Sequence, residues 1–370
     1  MPFLANSSTS RGDPVSPSDT PPEAPLHGLR VLDLSRYFPG PLTGRELVRL
    51  GAFVVKVEVG SGDPAKFIQP MDGAWSVPYR LLNGGKAECK LDLREDAGRL
   101  KFMALAKRAD VVIESFRPGR LSDMGLSPAT LLEANPSLVI ASLSGFGQGN
   151  QRGGHDLGFL ARSGVLAQSG PSGSVPPPPG IPVGDLLGGT YPALLQILAA
   201  LYRVRETGKG VHLDINMSEE LERLAWIGAS LSGFQSSGKT RGAGMLTGGL
   251  SRYRVYVAQD DSLVAVGALE EKFWEEVIGV LAEVDPSISK LSSEAHLEEV
   301  FASREGQFWR EKLIPLDVCV EMVESPRPTA AIKPSGHASL EAMLKGWDIE
   351  TEIGNDDFSL VEETQWVGQS

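Results

Sequence analysis

Hydrophobic and polar positions along this 370-residue chain switch between two periods. Short apolar runs at residues 31–34, 53–57, 90–93, 111–114 and 138–143 have the length of buried strands. Between them lie stretches with helical spacing. One starts at Pro39-Gly40-Pro41 and runs through Leu47 and Leu50, a second covers about 98–107, and a third at 128–134 stops at Asn135-Pro136. Strand, helix and strand in succession are βαβ units, which imply a parallel sheet with right-handed crossovers. Repetition of the unit predicts an α/β fold with a doubly wound large domain. No G-x-G-x-x-G opens the first helix, so a dinucleotide site is not expected.

The pattern changes after residue 150. Residues 170–182 contain four consecutive prolines, Pro176 to Pro179, and read as an exposed loop. Residues 186–205 are almost wholly apolar and predict a helix buried on most sides. A Gly- and Ser-rich stretch at 233–251 reads as a linker. Beyond it, 253–257 and 263–267 predict a hairpin turning at Asp260-Asp261, followed by amphipathic helices at 271–281 and 296–313. These make a second, smaller α+β domain. The predicted organisation is a disordered leader at 1–26, rich in Ser, Thr, Pro and Asp, and a large domain at 27–232. The linker, a small domain at 252–325 and a C-terminal segment at 326–370 complete it.

Composition narrows the function classes. Hydrophobic residues at 41% and charged residues at 22% fit a globular enzyme. A net charge of −12 without a long basic run argues against nucleic acid as a partner. No apolar run has membrane-spanning length, so no membrane partner is expected. Cys89 and Cys319 are too few for a disulfide framework and suit a reducing compartment. The last residues, Val367-Gly368-Gln369-Ser370, do not form a Ser-Lys-Leu address, and a cytoplasmic location is expected.

Two short stretches carry candidate chemistry: Gly154-His155-Asp156, and Asp185 within Ile181-Pro182-Val183-Gly184-Asp185. Imidazole titrates near neutrality and a carboxylate can be tuned upward by burial, so the pair could remove and return a carbon-bound proton. The same tripeptide also suits an ordinary turn with a solvated histidine. Around these stretches stand Leu29-Arg30-Val31-Leu32-Asp33-Leu34-Ser35, Val111-Val112-Ile113-Glu114-Ser115-Phe116-Arg117-Pro118-Gly119, Ser144-Gly145-Phe146-Gly147-Gln148 and Thr207-Gly208-Lys209-Gly210-Val211-His212. In order and spacing they resemble the family III CoA-transferase superfamily and, within it, the alpha-methylacyl-CoA racemase branch.

That resemblance implies an interlocked homodimer and a racemase or epimerase that inverts the alpha carbon of an acyl-CoA through an enolate. It implies His155 and Asp185 as the two acid/base groups and Asp156 as an oxyanion contact. Glu270 would orient the histidine from the other subunit; it also reads as a plain carboxylate at a helix start. CoA would enter as part of the substrate, with no metal or other cofactor. Lys86, Leu91, Asp92, Leu93, Arg94, Arg117, Gly154, Leu157, Gly158 and Phe159 match substrate- and CoA-binding positions. The chain departs from the pattern at Val59, Gly84 and Ala87, where the family has arginines, and at Thr247, where racemases have aspartate. Two rival readings stay open: a CoA-transferase with Asp185 as nucleophile, and a repurposed relative without thioester chemistry.

Overall fold

The computed structural model describes residues 24–171, 174–232, 241–325 and 358–361. The chain divides into two compact units, one from residues 1–153, 185–217 and 330–370, the other from 154–184 and 218–329. Residues 154–184 and 218–232 fall in the unit that holds the smaller sheet.

The first unit contains β1 (Arg30–Asp33), α1 (Pro39–Arg49), β2 (Phe53–Val59), a small hairpin of β3 (Met71–Asp72) and β4 (Trp75–Ser76), and α2 (Val77–Asn83). It continues through β5 (Ala87–Leu91), α3 (Asp96–Ala106), β6 (Val111–Glu114), α4 (Arg120–Asp123), α5 (Pro128–Ala134) and β7 (Val139–Ser144). The second unit takes the chain through α6 (Asp156–Ser163) and α7 (Val165–Gln168). The chain then returns to the first unit with a π-helical turn (Asp185–Thr190), α8 (Tyr191–Thr207) and β8 (Val211–Asn216).

The strand order in the large sheet is β12-β5-β2-β1-β6-β7-β8, where β12 is Phe358–Leu360. β12 runs antiparallel to β5, and all other neighbours are parallel. The chain starts at β1, winds outward to β5, and then crosses back to continue from β6. The order therefore reverses between β1 and β6, the position at which open α/β sheets form a ligand crevice at the strands' carboxyl ends. Val31, Val111 and Val139 pack on one face with Ala193 and Ile197 of α8, while Leu32, Val112 and Ile140 meet Phe102 and Leu131 on the other. Burial on both faces is what a parallel sheet requires.

Two expectations shift. β5 begins at Ala87 rather than Lys90, because Ala87, Cys89 and Leu91 point into the core while Glu88 is held by Tyr79 and Lys66. The apolar helix at 186–205 is not enclosed on most sides. Its inner face buries Ala193, Ile197 and Ala200, whereas Leu195 and Tyr202 are each 69% exposed.

In the second unit, α9 (Met217–Ser232, all but its first residue in this unit) precedes β9 (Arg254–Val257) and β10 (Leu263–Val266), which form the expected hairpin. α10 (Glu271–Val284), α11 (Glu294–Ala302), α12 (Gly306–Leu313) and β11 (Val320–Met322) follow, giving a three-stranded antiparallel sheet ordered β11-β10-β9. Tyr256 of β9 stacks on Phe301 of α11 with ring centroids 4.3 Å apart, and Trp309 of α12 meets Phe301 at a tilt, 4.8 Å away. The single helix expected at 296–313 is broken at residues 303–305. Gly306 lies so close to the hairpin that a methyl there would stand 2.4 Å from Ser262 Cβ, and its N–H donates to Asp260 Oδ1 at 2.9 Å. The C-terminal segment from 326 to 357 lies outside the described residues.

Candidate active site

His155 occupies the N-cap position of α6 in extended backbone conformation and is exposed. Its carbonyl accepts the N–H groups of Gly158 at 2.8 Å and Phe159 at 3.2 Å, which starts the helix. Asp156 begins the first turn, where its carboxylate faces the positive end of the helix dipole. The Gly158 and Phe159 N–H groups are thus taken up by the His155 carbonyl, and the positive end of the α6 dipole faces the residues before it. Leu157 and Gly158 are exposed, and Phe159 is buried in the helix's inner face. Gly184 lies against this turn: a methyl there would sit 2.9 Å from both the carbonyl oxygen and Oδ1 of Asp156. Only glycine fits such an approach, and the next residue in the chain is Asp185.

Asp185, in the first unit, is half-buried and opens the π-helical turn, a device common at functional sites. That turn is pinned to the start of α1. Thr190 Oγ1 donates to the Pro39 carbonyl at 3.0 Å, and a methyl on Gly189 would come within 2.7 Å of Pro39 Cβ. Asp185 therefore belongs to the carboxyl-end side of the sheet, near the β1–α1 turn. Glu270 is exposed at the N-cap position of α10, where its carbonyl accepts the Trp274 N–H at 3.0 Å. Its side chain makes no capping hydrogen bond.

The β1–α1 turn rests on a buried ionic cluster. Lys86, with no exposed surface, donates from Nζ to Asp33 Oδ2 at 2.7 Å, Asn83 Oδ1 at 2.8 Å and the Pro41 carbonyl at 2.7 Å. Burial pushes the Lys86 ammonium down to about 8, against the pull of Asp33. Burial alone would raise the Asp33 carboxyl, but the ammonium groups of Lys86 and Lys56 more than reverse this and hold it below the usual range. Lys56 donates to the Ser35 carbonyl and to Asp63 Oδ2, and Asp63 Oδ1 accepts the Tyr37 N–H at 3.0 Å. The resemblance assigns Lys86 to substrate and CoA binding. Its ammonium is instead enclosed by protein acceptors, which makes it a support of the turn.

The other expected CoA contacts divide by exposure. Leu91 and Leu93 are core residues, so only their backbone can face a ligand. Asp92 and Arg94 pair with one another at 2.6 Å on the surface, and the hydrogen bonds from Arg94 bring the Asp92 carboxyl down to about 2. Arg117 is exposed and donates from Nη1 to the Gln151 carbonyl at 2.8 Å. A methyl on Gly153 would stand 2.6 Å from Arg117 Nη2, while the exposed Gly154 follows as the first residue of the second unit. Val59 and Ala87, the positions of two missing cations, are interior strand residues, and Gly84 accepts a hydrogen bond from Arg45 at 2.7 Å.

A polar row that no sequence motif announces crosses three strands. Register places Glu114, Ser142 and Asp214 side by side on β6, β7 and β8. Glu114 is only 3% exposed, and its Oε2 accepts the Phe116 N–H at 2.8 Å. Burial pushes its carboxyl up to about 7, with Asp214 adding to the rise against the hydrogen bonds from Ser142 and Phe116. Ser142 Oγ also meets His212 Nε2 at 2.9 Å. The available signal was Glu114 itself, a charge closing an otherwise apolar run.

The family model described as CoA-transferase family III matches residues 26–348. The alpha-methylacyl-CoA racemase of Mus musculus is 33% identical over 311 residues, covering 80% of this chain and 77% of its own. The acetyl-CoA:oxalate CoA-transferase of Acetobacter aceti is 34% identical over 223 residues, covering 59% and 57%. Among solved structures, a CAIB/BAIF family protein from Brucella suis superposes with a TM-score of 0.71 at 26% identity, covering 82% of this chain and 84% of that one. The doubly wound sheet, its order of strands and the match across most of the sequence agree: this chain belongs to CoA-transferase family III.

Proposed function

We propose that the protein is an epimerase of the alpha carbon of an acyl thioester, most simply an acyl-CoA. One base removes the alpha proton, the electron pair moves onto the thioester carbonyl oxygen, and the second group returns a proton to the opposite face. His155 and Asp185 fill those roles, and the Asp156 backbone N–H at the start of α6 hydrogen-bonds the enolate oxygen. The observation that carries this reading is His155 at the start of α6, exposed and directly preceding that turn. Similarity to a racemase over 80% of the chain supports it. The carboxyl-end crevice between β1 and β6 would take the CoA portion, with Arg117 beside it; no metal or redox group is needed for this proton transfer.

The functional species in this reading is a homodimer in which Glu270 orients the histidine of the other copy. The exposed stripe on α8, including Leu195 and Tyr202, suits burial against that second copy. Among the described residues, no helix is long and apolar enough to cross a membrane.

Similarity to CoA-transferases at the same level of identity supports a second reading, in which the Asp185 carboxylate attacks the thioester carbonyl, the C–S bond breaks with CoA leaving as the thiolate, and the acyl group is carried as a mixed anhydride. Incubation in D₂O with a chiral 2-methylacyl-CoA separates the two. The epimerase incorporates deuterium at the alpha carbon as stereochemical purity is lost, and His155→Ala or Asp185→Ala reduces exchange by roughly 10²-fold or more. Exchange at the wild-type rate in both variants overturns the two-base assignment. Hydroxylamine trapping of an acyl group on Asp185, with acyl transfer and no exchange, would establish the transferase.

A further inference from the structure

The loops leaving β6 and β7 are fastened to each other and to β8. Glu114 Oε2 accepts the Phe116 N–H at 2.8 Å, and Arg117 Nη1 donates to the Gln151 carbonyl at 2.8 Å. Gln151 Nε2 donates back to the Pro118 carbonyl at 3.3 Å, and Asp214 Oδ2 accepts the Gln148 N–H at 2.9 Å. From the β1 side, the Arg36 N–H donates to Ser115 Oγ at 2.9 Å, while its guanidinium lies 5.3 Å from the Phe116 ring centroid. Residues 115–117 are thus held from both sides where the strand order reverses. Of the groups that hold this turn, Glu114 alone is enclosed in the sheet, and the backbone donor it accepts is only two residues away.

We propose that Glu114 is a positioning residue for substrate binding. By accepting the Phe116 N–H it sets the 115–117 turn, and so places Arg117 for the anionic end of a thioester-linked cofactor such as CoA. It does not touch the reacting carbon. This inference rests on the acyl-CoA reading for its ligand, but it concerns affinity rather than proton transfer. A backbone donor released from a carboxylate leaves the turn free to move, and a displaced arginine forfeits a charge-assisted contact worth about tenfold or more in affinity.

The test compares Glu114→Leu, Glu114→Asp and Glu114→Gln with the wild-type full-length chain. Calorimetric binding of CoA is one readout, and deuterium exchange into 2-methylacyl-CoA, resolved into kcat and KM, is the other. Glu114→Leu is expected to raise KM and the CoA Kd about tenfold with kcat within about twofold. Glu114→Gln keeps an amide oxygen for the Phe116 N–H and is expected to restore both. Glu114→Asp, shortened by one methylene, is expected to fall between and serves if the leucine variant does not fold. A folded Glu114→Leu or Glu114→Asp with wild-type KM and Kd overturns the proposal, as does a fall in kcat at unchanged KM. Wild-type protein that binds CoA without exchanging a proton overturns only the epimerase reading. Wild-type protein that does not bind CoA overturns both.

Discussion

Replacement of Glu114 by glutamine should change how the stability of the sheet depends on pH. The carboxyl is buried in the fold with its pKa near 7, against an ordinary 4.5. Below pH 4.5 the group is protonated in both folded and unfolded chains, so it contributes no pH dependence. Between 4.5 and about 7 the unfolded chain gives up this proton while the folded chain keeps it. The folded state then binds more protons, and stability falls as pH rises through that window. Above about 7 both states are ionised and the loss is complete. The rise from 4.5 to about 7 corresponds to a loss of about 3 kcal/mol. Glutamine is nearly the same size as the protonated acid but cannot ionise, so the variant escapes the loss. Urea unfolding at pH 4.5 and pH 8, with hydrogen exchange of β6 and β7 peptides as the local measure, gives the comparison. The stability of Glu114→Gln relative to wild type should be near zero at the lower pH and should rise by about 3 kcal/mol at the higher. A difference independent of pH, or one that shrinks as pH rises, would refute the assignment of a neutral buried carboxyl.

Lys86→Met leaves Asp33 charged and enclosed without its partner, and should reduce unfolding free energy by about 3–5 kcal/mol in urea titration; Asp33→Leu combined with it should recover much of the loss. Gly98→Ala would normally favour a helix, but the added methyl would stand 2.1 Å from the Asp92 carbonyl oxygen, so thermal melting should show destabilisation. Ala87→Arg, which restores a family cation by sequence, enters a fully buried strand position and should lower stability by at least 1–3 kcal/mol by overpacking, without tightening CoA binding in calorimetry. Leu195→Glu places a charge in the exposed stripe of α8, and light scattering should show a shift from dimer toward monomer if that face joins two copies.

The parallel sheet was legible because its strands are apolar on both faces and separated by helices of ordinary length. β6, α5 and the hairpin of the smaller unit lie within a few residues of where periodicity put them. Buried polar residues are what the pattern conceals most. Lys56 and Glu58 alternate with valines in β2, and they are 1% and 3% exposed because Asp63, Tyr79 and Lys66 meet them. At Lys86 a lysine after two glycines gives no sign that Asp33, more than fifty residues earlier, will neutralise it. His155 and Asp185 could be singled out because they interrupt glycine-flanked turns, whereas the polar row of Glu114, Ser142 and Asp214 arises only when three strands come into register. The exposed side of α8 also follows from packing, since an apolar sequence cannot distinguish a face covered by its own sheet from one left open.

The antiparallel strand β12 has a consequence for synthesis of the chain. β5 lies next to it as the last parallel strand on that side, and Cys89 pairs with Phe358, about 270 residues later. During translation, β1, β2 and β5 leave the ribosome long before their final neighbour has been made. The hydrogen-bonding edge of β5 is open throughout that interval, at the stage when unpaired edges most readily join strands from other nascent chains. Premature termination after the smaller unit would leave it open permanently. Messages truncated near their ends should therefore yield aggregated product rather than a shortened soluble protein, and recovery of the full-length chain should improve when elongation through its last third is fast relative to collisions between polysomes.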